Sequence, residues 1–401
     1  MRPFDGRHVL LGVTGGIASY KAVSLARLLV QAGATVDVVL SRSAREFVGA
    51  ITFEAVTGRA TCADILDAGN ALAHIRLAKT ADLVVVAPAT ADFIARAAQG
   101  RADDLLTAVL LATRAPVLVS PAMNDGMWAH RQVLANADHL QSLGYHVLEP
   151  AIGPLAFGEG VGPGRMPEPE SILVHCGRLL EPISPLAGRH VVVTAGPTRE
   201  PVDPVRYIGN RSSGRMGVAV AAAAWRRGAR VTLVHGPLAV ALPDGVTSVA
   251  VETTREMRDA VAQALADADV LVMAAAPADF TPAAVADEKI KKTDDAPVLA
   301  LAHTPDILLD TRALRRPGTI VMGFALETTQ VEEHAAAKLA RKGLDFIVAN
   351  DATDPQGGFG VATNRVVILD AQGGREELPV LSKADVAEHL LDRVTEALDG
   401  R

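Results

Sequence analysis

Arg7-His8-Val9-Leu10-Leu11-Gly12-Val13-Thr14-Gly15-Gly16 opens one pattern in the chain, and Arg189-His190-Val191-Val192-Val193-Thr194-Ala195-Gly196 opens a second. Two more segments are echoed in the same order. Gly33-Ala34-Thr35-Val36-Asp37-Val38-Val39 returns as Gly228-Ala229-Arg230-Val231-Thr232-Leu233-Val234, and Ala81-Asp82-Leu83-Val84-Val85-Val86-Ala87-Pro88 returns as Ala268-Asp269-Val270-Leu271-Val272-Met273-Ala274-Ala275. Each is a short, continuous, β-branched run ending in small residues, the signature of a strand buried on both faces of a parallel sheet. Helical patterns lie between them, at 21–31, 216–227 and 254–266. Alternating strand and helix implies βαβ units with right-handed crossovers, so each half is expected to be a doubly wound α/β domain. Any two such domains share this rhythm; the doubling speaks to fold and not to ancestry.

The seam is Glu181-Pro182-Ile183-Ser184-Pro185-Leu186-Ala187-Gly188, where two prolines deny helix or central strand just before a new strand. The expected domains are therefore 1–188 and 189–401. A stretch rich in Gly and Pro, 153–169, reads as a functional flap or a disordered loop. With 401 residues, 49% hydrophobic and 21% charged, the chain can bury two or three cores. A net charge of −7 argues against general nucleic-acid binding. Two cysteines, Cys62 and Cys176, rule out a disulfide scaffold or a Cys-rich zinc site and suit a reducing compartment. No apolar run reaches the ~18 residues of a membrane span, and the first residues hold no apolar leader. The expectation is a cytoplasmic protein with no membrane partner.

Ligands of doubly wound sheets bind beyond the carboxyl ends of the strands. In the first half, strand one runs into Gly12-Val13-Thr14-Gly15-Gly16-Ile17-Ala18, whose glycines let backbone N–H groups approach an anion at a helix N-terminus. The spacing is not the dinucleotide G-x-G-x-x-G. Strand two ends in Ser41-Arg42-Ser43, where a dinucleotide site would place an acid; hydroxyls and a cation suit the phosphate of FMN or NADP, and an ordinary serine-rich turn reads the same.

Gly15-Gly16-Ile17-Ala18-Ser19-Tyr20-Lys21, Ala73-His74-Ile75-Arg76-Leu77, Ala87-Pro88-Ala89-Thr90-Ala91-Asp92-Phe93 and Ser120-Pro121-Ala122-Met123-Asn124 follow one another in order. Together they resemble the homo-oligomeric flavin-containing cysteine decarboxylases. The resemblance implies a flavodoxin-like domain binding FMN through Gly15, Gly16, Ile17, Ser41, Thr90, Ala122 and Met123. It also implies a substrate bearing a cysteine carboxylate, oxidised at its thiol so that CO2 can leave. His74 matches the catalytic histidine, a group able to manage the thiol proton near neutral pH. Asn124 matches the residue that holds the carboxylate through its amide. The chain departs from the family in the flap, Leu155-Ala156-Phe157-Gly158-Glu159-Gly160-Val161-Gly162-Pro163-Gly164-Arg165-Met166. Phe157 stands where reductive members carry a proton-donating cysteine, and the tail is one residue longer. Glu159, a water or the longer flap must then supply the proton, or the second half-reaction is impaired.

The second half opens on Thr194-Ala195-Gly196-Pro197-Thr198-Arg199-Glu200, followed by Asn210-Arg211-Ser212-Ser213-Gly214-Arg215-Met216-Gly217. Serines and glycines ahead of a helix can cradle a phosphate, although no Walker loop is present. Ala274-Ala275-Ala276-Pro277-Ala278-Asp279-Phe280 leaves Asp279 at a strand end, where a carboxylate can help hold Mg2+ against a triphosphate. Glu288-Lys289-Ile290-Lys291-Lys292 reads as a solvated surface run or, beside Asp279, as a neutraliser of pyrophosphate. Lys338 and Lys342 share a helix face at i,i+4.

This ordered set, completed by Gly323-Phe324-Ala325-Leu326-Glu327-Thr328, resembles bacterial phosphopantothenate–cysteine ligases over about residues 190–370. Preceded by the flavin half, it resembles the bifunctional enzymes of coenzyme A biosynthesis. The resemblance implies that the carboxylate of 4′-phosphopantothenate attacks CTP to give an acyl-cytidylate, which the amine of cysteine then opens. Asn210 would hold the acyl-cytidylate, Lys289 the CTP, and Asp279 the nucleotide and its metal. Met273, Ala274, Ala275, Pro305, Asp306, Ile307, Leu308 and Phe324 match the nucleotide pocket, with Lys338 and Lys342 on phosphates. Trimeric flavin sites and dimeric ligase sites are implied as well. The loop Asp354-Pro355-Gln356-Gly357-Gly358-Phe359-Gly360 reads equally as a closing lid and as a surface loop. Two other readings remain: an active ligase whose flavin half is a silent scaffold, motivated by Phe157, and a nicotinamide-dependent oxidoreductase, opposed by the missing dinucleotide fingerprint.

Overall fold

The computed structural model describes residues 3–62, 72–181, 184–292, 298–327, 329–351 and 361–400. The chain divides into two compact units, Met1–Glu181 and Pro182–Arg401.

The first unit is built on strands β1 (His8–Val13), β2 (Thr35–Leu40), β3 (Leu83–Ala89), β4 (Val117–Pro121) and β5 (His146–Val147), with a hairpin β6 (Ala151–Pro154) and β7 (Val161–Arg165). Its helices are α1 (Ser19–Gln31), α2 (Ala50–Thr57), α3 (Ala73–Thr80), α4 (Ala91–Ala98), α5 (Leu105–Ala112), α6 (Asp125–Trp128), α7 (Arg131–Ser142) and α8 (Pro169–Leu180). The five strands pair in parallel in the order β2-β1-β3-β4-β5, the flavodoxin-like winding. Strand residues alternate between two cores. Val9, Leu11 and Val13 join Leu83, Val85 and Ala87 under α1 and α8, whereas Leu10 joins Val84 and Val86 under α3, α4 and α5. Burial on both faces explains why these strands read as unbroken β-branched runs. The order turns back between β1 and β3, and the carboxyl ends at that switch point are where a ligand belongs.

Of the two readings of 153–169, the disordered loop is corrected: most of the stretch belongs to the hairpin of β6 and β7, with Gly153 opposite Gly162 and Pro154 opposite Val161 and a register shift at Ala151/Ile152, and Pro169 already opens α8. Its glycines and prolines hide the strand pattern, and one of them is required by packing. Gly164 (φ +146) accepts from Met123 N–H through its carbonyl, and a Cβ there would lie 2.3 Å from the Met123 oxygen.

The second unit carries β8 (His190–Ala195), β9 (Arg199–Pro201), β10 (Tyr207–Gly209), β11 (Arg230–His235), β12 (Thr247–Ala250), β13 (Val270–Met273), β14 (Phe280–Pro282), β15 (Leu301–His303), β16 (Ile320–Glu327), β17 (Phe346–Asp351), β18 (Thr363–Asp370) and β19 (Arg375–Ser382). Helices α9 (Arg215–Arg226), α10 (Thr254–Ala264), α11 (Ile307–Asp310), α12 (Val331–Lys342) and α13 (Lys383–Asp399) complete it. The main sheet runs β12-β11-β8-β13-β16-β17-β18-β19, parallel through β17 and antiparallel at its last two strands. Helix α10 starts at a capping box in which Thr253 Oγ accepts from Glu256 N–H and the Glu256 carboxylate reaches back. On the other side of the unit α9 packs against α13, each burying small and branched apolar residues such as Val220, Ala224, Val386 and Leu390. The switch point here lies between β8 and β13. No helix among the described residues is long and apolar enough to cross a membrane.

Candidate functional site

In the first unit a cavity of about 420 Å³ opens beyond β1 and β3. Gly15, Gly16, Ile17, Thr90, Ala122, Met123 and Asn124 all line it, so the structure gathers most of the expected flavin contacts in one place. Thr14 ties the two strand ends together: its hydroxyl donates to Pro88 O at 2.8 Å and accepts from Thr90 N–H at 3.0 Å. Thr90 in turn caps α4 by accepting from Phe93 N–H. Asn124 Oδ1 accepts from Gly126 N–H at 2.8 Å, which leaves Nδ2 as the end of the amide able to donate to a ligand.

Ser41 does not line the cavity. Its Oγ accepts from Ala44 N–H at 3.2 Å and lies 3.3 Å from Ser43 Oγ, directly behind Gly15. His74 sits in the first turn of α3, half-buried, with Nδ1 enclosed and unpartnered, and it does not line the cavity either. One chain therefore does not bring His74 and Asn124 into the same pocket. Phe157 at the hairpin tip is fully exposed, whereas Leu155, Ala156 and Glu159 line the cavity. Lys21, buried, was missed by sequence reasoning: its ammonium donates to Met166 O at 3.0 Å and Glu168 Oε1 at 2.9 Å, fastening the far end of the hairpin. That ammonium, aided by Arg165 and opposed by burial, holds the Glu168 carboxyl below its usual range. Cys176 is enclosed in the core, and burial pushes its thiol far up, so it supplies neither proton nor nucleophile.

In the second unit a cavity of about 350 Å³ lies at the ends of β8 and β13. It is lined by Asn210, Ala274, Ala275, Asp279 and Phe324 from the expected set, together with Ser212, Ser213 and Gly214 ahead of α9. Asn210 Nδ2 donates to Ala276 O (3.1 Å) and Pro277 O (2.9 Å), holding the loop between β10 and α9 against the loop after β13. Thr194 and Thr198 brace the same junction, accepting from Ala275 N–H at 3.1 Å and Ala278 N–H at 2.9 Å. Met273 is buried behind this wall.

The remaining expected residues lie outside this lining. Asp306 caps α11, Ile307 and Leu308 are buried core, and Pro305 precedes them. Lys342 Nζ pairs with Asp306 at 3.0 Å and Lys338 Nζ with Glu327 at 2.5 Å, so each cation of the i,i+4 pair has its own carboxylate. Lys289 is exposed, but the backbone next to it is anchored: Ile290 N–H donates to Asp203 Oδ2 at 3.1 Å and Ile290 O accepts from Arg206 Nη2 at 2.8 Å. Hydrogen bonds from Arg206, with Val205, Ile290 and Arg206 backbone N–H groups adding, outweigh desolvation and hold the Asp203 carboxyl far below its usual range. Thr328 and the loop 354–360 lie outside the described residues. Lys383, Asn350 and Asn364 line the cavity without having been singled out by any motif, and Arg215 joins them from the motif that runs from Asn210 to Gly217.

Two family descriptions match the chain. Flavoprotein covers residues 2–179, and DNA/pantothenate metabolism flavoprotein C-terminal domain covers 186–398, more than half of the chain. The coenzyme A biosynthesis bifunctional protein CoaBC of Vibrio vulnificus (strain CMCP6) is 43% identical over 398 residues, 98% of each chain. Its namesake in Bacillus subtilis (strain 168) is 45% identical over 395 residues, 97% of each. That of Mycobacterium tuberculosis (strain ATCC 25618 / H37Rv) is 46% identical over 409 residues, 98% of this chain and 97% of the other. Such full-length similarity sets aside the nicotinamide-dependent reading. The chain belongs to the coenzyme A biosynthesis bifunctional protein family, enzymes that join a decarboxylase and a ligase in one polypeptide.

Proposed function

We propose that the second unit condenses 4′-phosphopantothenate with cysteine at the expense of CTP, and that the first unit decarboxylates the product to 4′-phosphopantetheine. The observation that carries this reading is the pair of cavities at the two switch points, each lined by the motif that matches its half of the family. The domain assignment follows: 1–188 for decarboxylation, 189–401 for ligation.

In the ligase cavity the carboxylate of phosphopantothenate attacks the α-phosphorus of CTP, and pyrophosphate leaves. The amine of cysteine then attacks the acyl carbon and CMP departs. Asn210 and the small residues Ala274 and Ala275 shape the acyl site. Lys289, on its anchored segment, offsets charge on the departing pyrophosphate. Among the described residues Asp279 is the one acid lining this cavity, and no three His, Cys, Asp or Glu side chains converge as a metal site. Mg2+ fits there as an ion borne on the nucleotide phosphates with one protein carboxylate, its usual habit.

The first cavity fits a flavin: it is large enough, largely apolar, and bordered by a glycine turn that admits close backbone approach. FMN, when bound, supplies an acceptor for the two electrons of the cysteinyl thiol. Around it, Gly15, Gly16, Ile17, Thr90, Ala122 and Met123 bind and orient, and Asn124 Nδ2 donates to the substrate carboxylate. His74 takes the thiol proton; the trimer implied for this half brings a neighbour's copy to the cavity, with the ligase half pairing as a dimer. Glu159, the acid of the flap that lines the cavity, supplies the proton that Phe157 has no means to give. The enzyme works in the cytoplasm. The test is a pair of variants: His74→Asn abolishes decarboxylation and spares ligation, and Asn210→Asp does the reverse. Unaltered CO2 release from phosphopantothenoylcysteine by His74→Asn would overturn the site assignment.

A further inference from the structure

A smaller cavity of the second unit, about 230 Å³, adjoins the ligase cavity: Asn210 and Ser212 line both. Its lining comes from the hairpin of β9 and β10, the loop after β10 and the turn that follows β11. The hairpin sets one cation in place. Arg199 stands opposite Gly209, which has no side chain, and a Cβ there would lie 2.5 Å from Thr198 O. The guanidinium therefore leans along the diagonal onto Tyr207, its central carbon 4.6 Å from the ring centroid. Alternation along the strand turns the adjoining acid away. Glu200, buried, accepts through Oε1 from the N–H and the hydroxyl of Thr254 at 2.9 and 2.8 Å. Arg211, exposed, adds a second cation to the lining. Among the described residues no acid lines this cavity, and neither guanidinium pairs with a carboxylate.

The turn after β11 gives the cavity a short apolar side, Pro237 and Leu238, and it is held tightly. A Cβ on Gly236 would lie 1.7 Å from Pro197 O, and Ala239 N–H donates to Ser213 O at 3.1 Å. A guanidinium presents a planar fork of donors that fits a carboxylate, and a small apolar patch suits a short thiol-bearing side chain. The ligase reaction needs a molecule of that kind beside Asn210. Once the acyl-cytidylate fills the first cavity, cysteine must reach its acyl carbon from adjoining space, with the amine forward and the α-carboxylate held behind.

We propose that this smaller cavity is the cysteine subsite of the ligase, with Arg199 and Arg211 binding the α-carboxylate and Pro237 and Leu238 packing against the thiol-bearing carbon. The proposal rests on the ligase reading above. The free amine attacks the acyl carbon as the bond to the CMP oxygen breaks, and the amine's proton passes to solvent. The carboxylate takes no part in that step; its binding selects cysteine among amines.

The experiment follows CMP release by the full-length enzyme and by Arg199→Met and Arg199→Lys, with cysteine or cysteamine, which lacks the carboxylate, as the amine. Arg199→Met keeps much of the apolar stem and loses the fork. It is expected to raise KM for cysteine by about 10- to 100-fold, as for a lost charge-assisted bond. KM for CTP and for phosphopantothenate stays within twofold of wild type, and so does kcat/KM for cysteamine, so the preference for cysteine over cysteamine falls by the same factor. Arg199→Lys restores part of the loss, since it returns the charge without the fork. A cysteine KM within twofold of wild type would overturn the proposal, as would equal losses for cysteine and cysteamine. A rise for phosphopantothenate or CTP in place of cysteine would overturn it too, and would make the cavity a phosphate site. If Arg199→Met fails to fold, Arg211→Met is read by the same criteria. A wild-type enzyme making no phosphopantothenoylcysteine would instead refute the ligase reading itself.

Discussion

Replacing Gly15 by alanine tests the construction of the flavin cavity. An added Cβ would stand 2.4 Å from both Cβ and Oγ of Ser43 and 2.8 Å from its carbonyl carbon. Carbon atoms settle about 3.5–4.0 Å apart, so one side must retreat by roughly 1 Å. Ser43 has little freedom: it precedes the short turn Ala44–Glu46, which Ser41 pins through Ala44 N–H. The Gly15 loop yields instead. Overpacking of this kind costs about 1–3 kcal/mol. Gly16 is the control, because a Cβ there meets nothing nearer than Thr90 Cγ2 at 3.9 Å. Its alanine variant is expected to stay within about 0.5 kcal/mol of wild type before flavin is added. The assay is urea unfolding of flavin-free protein in a Trp225→Phe background, where Trp128 reports on the first unit alone, followed by FMN titration. Gly15→Ala should lower the midpoint and weaken FMN binding. A Gly15→Ala protein as stable as wild type, or less affected than Gly16→Ala, would refute the steric argument.

Three further outcomes follow from single contacts. Glu388 joins α13 to α9 through Arg226 and Arg227; burial would raise its pKa, but the two guanidiniums outweigh burial and hold it below the ordinary 4.5. Its contribution is therefore present above that value and lost as pH falls through the depressed folded one. Glu388→Gln should cost about 1.5–3 kcal/mol near pH 7, a gap that closes in acid melts; a gap constant down to pH 3 would contradict the assignment. Cys176, enclosed with its thiol pKa raised by burial, should resist a thiol reagent in native protein while the partly exposed Cys62 reacts; two equally fast thiols would show the core is not closed. Glu159→Gln should accumulate a product two hydrogens short of phosphopantetheine, whereas Phe157→Ala should not, as read by mass; the opposite pattern would remove Glu159 as the proton donor.

Much of the fold was legible because both sheets are buried on two faces. Val9–Val13, Val84–Val86 and Val191–Val193 have no exposed edge to break their apolar runs, so composition alone marks them as strands. The hairpin at 151–165 was not, since Gly162 and Gly164 are kept small by neighbours distant in sequence, Asp125 and Met123. Of the site, the parts carried by loops directly after strands, Gly15-Gly16, Thr90, Asn124, Asn210 and Asp279, came with their strands. Lys383 and Asn350 could not be found that way. They reach the second cavity because α13 packs on α9 and β17 pairs with β16, contacts between segments far apart in the chain. Lys338 and Lys342 show the converse: their spacing invites an anion, yet each is met by a carboxylate, Glu327 or Asp306, which periodicity does not reveal.

The most direct test of the whole account is mass-resolved analysis of products formed by the purified protein from CTP, Mg2+, cysteine and 4′-phosphopantothenate. The account predicts CMP, pyrophosphate and CO2 together with 4′-phosphopantetheine. Arrest at phosphopantothenoylcysteine with flavin bound would contradict the decarboxylase assignment of the first unit, and absence of phosphopantothenoylcysteine altogether would contradict the ligase assignment of the second.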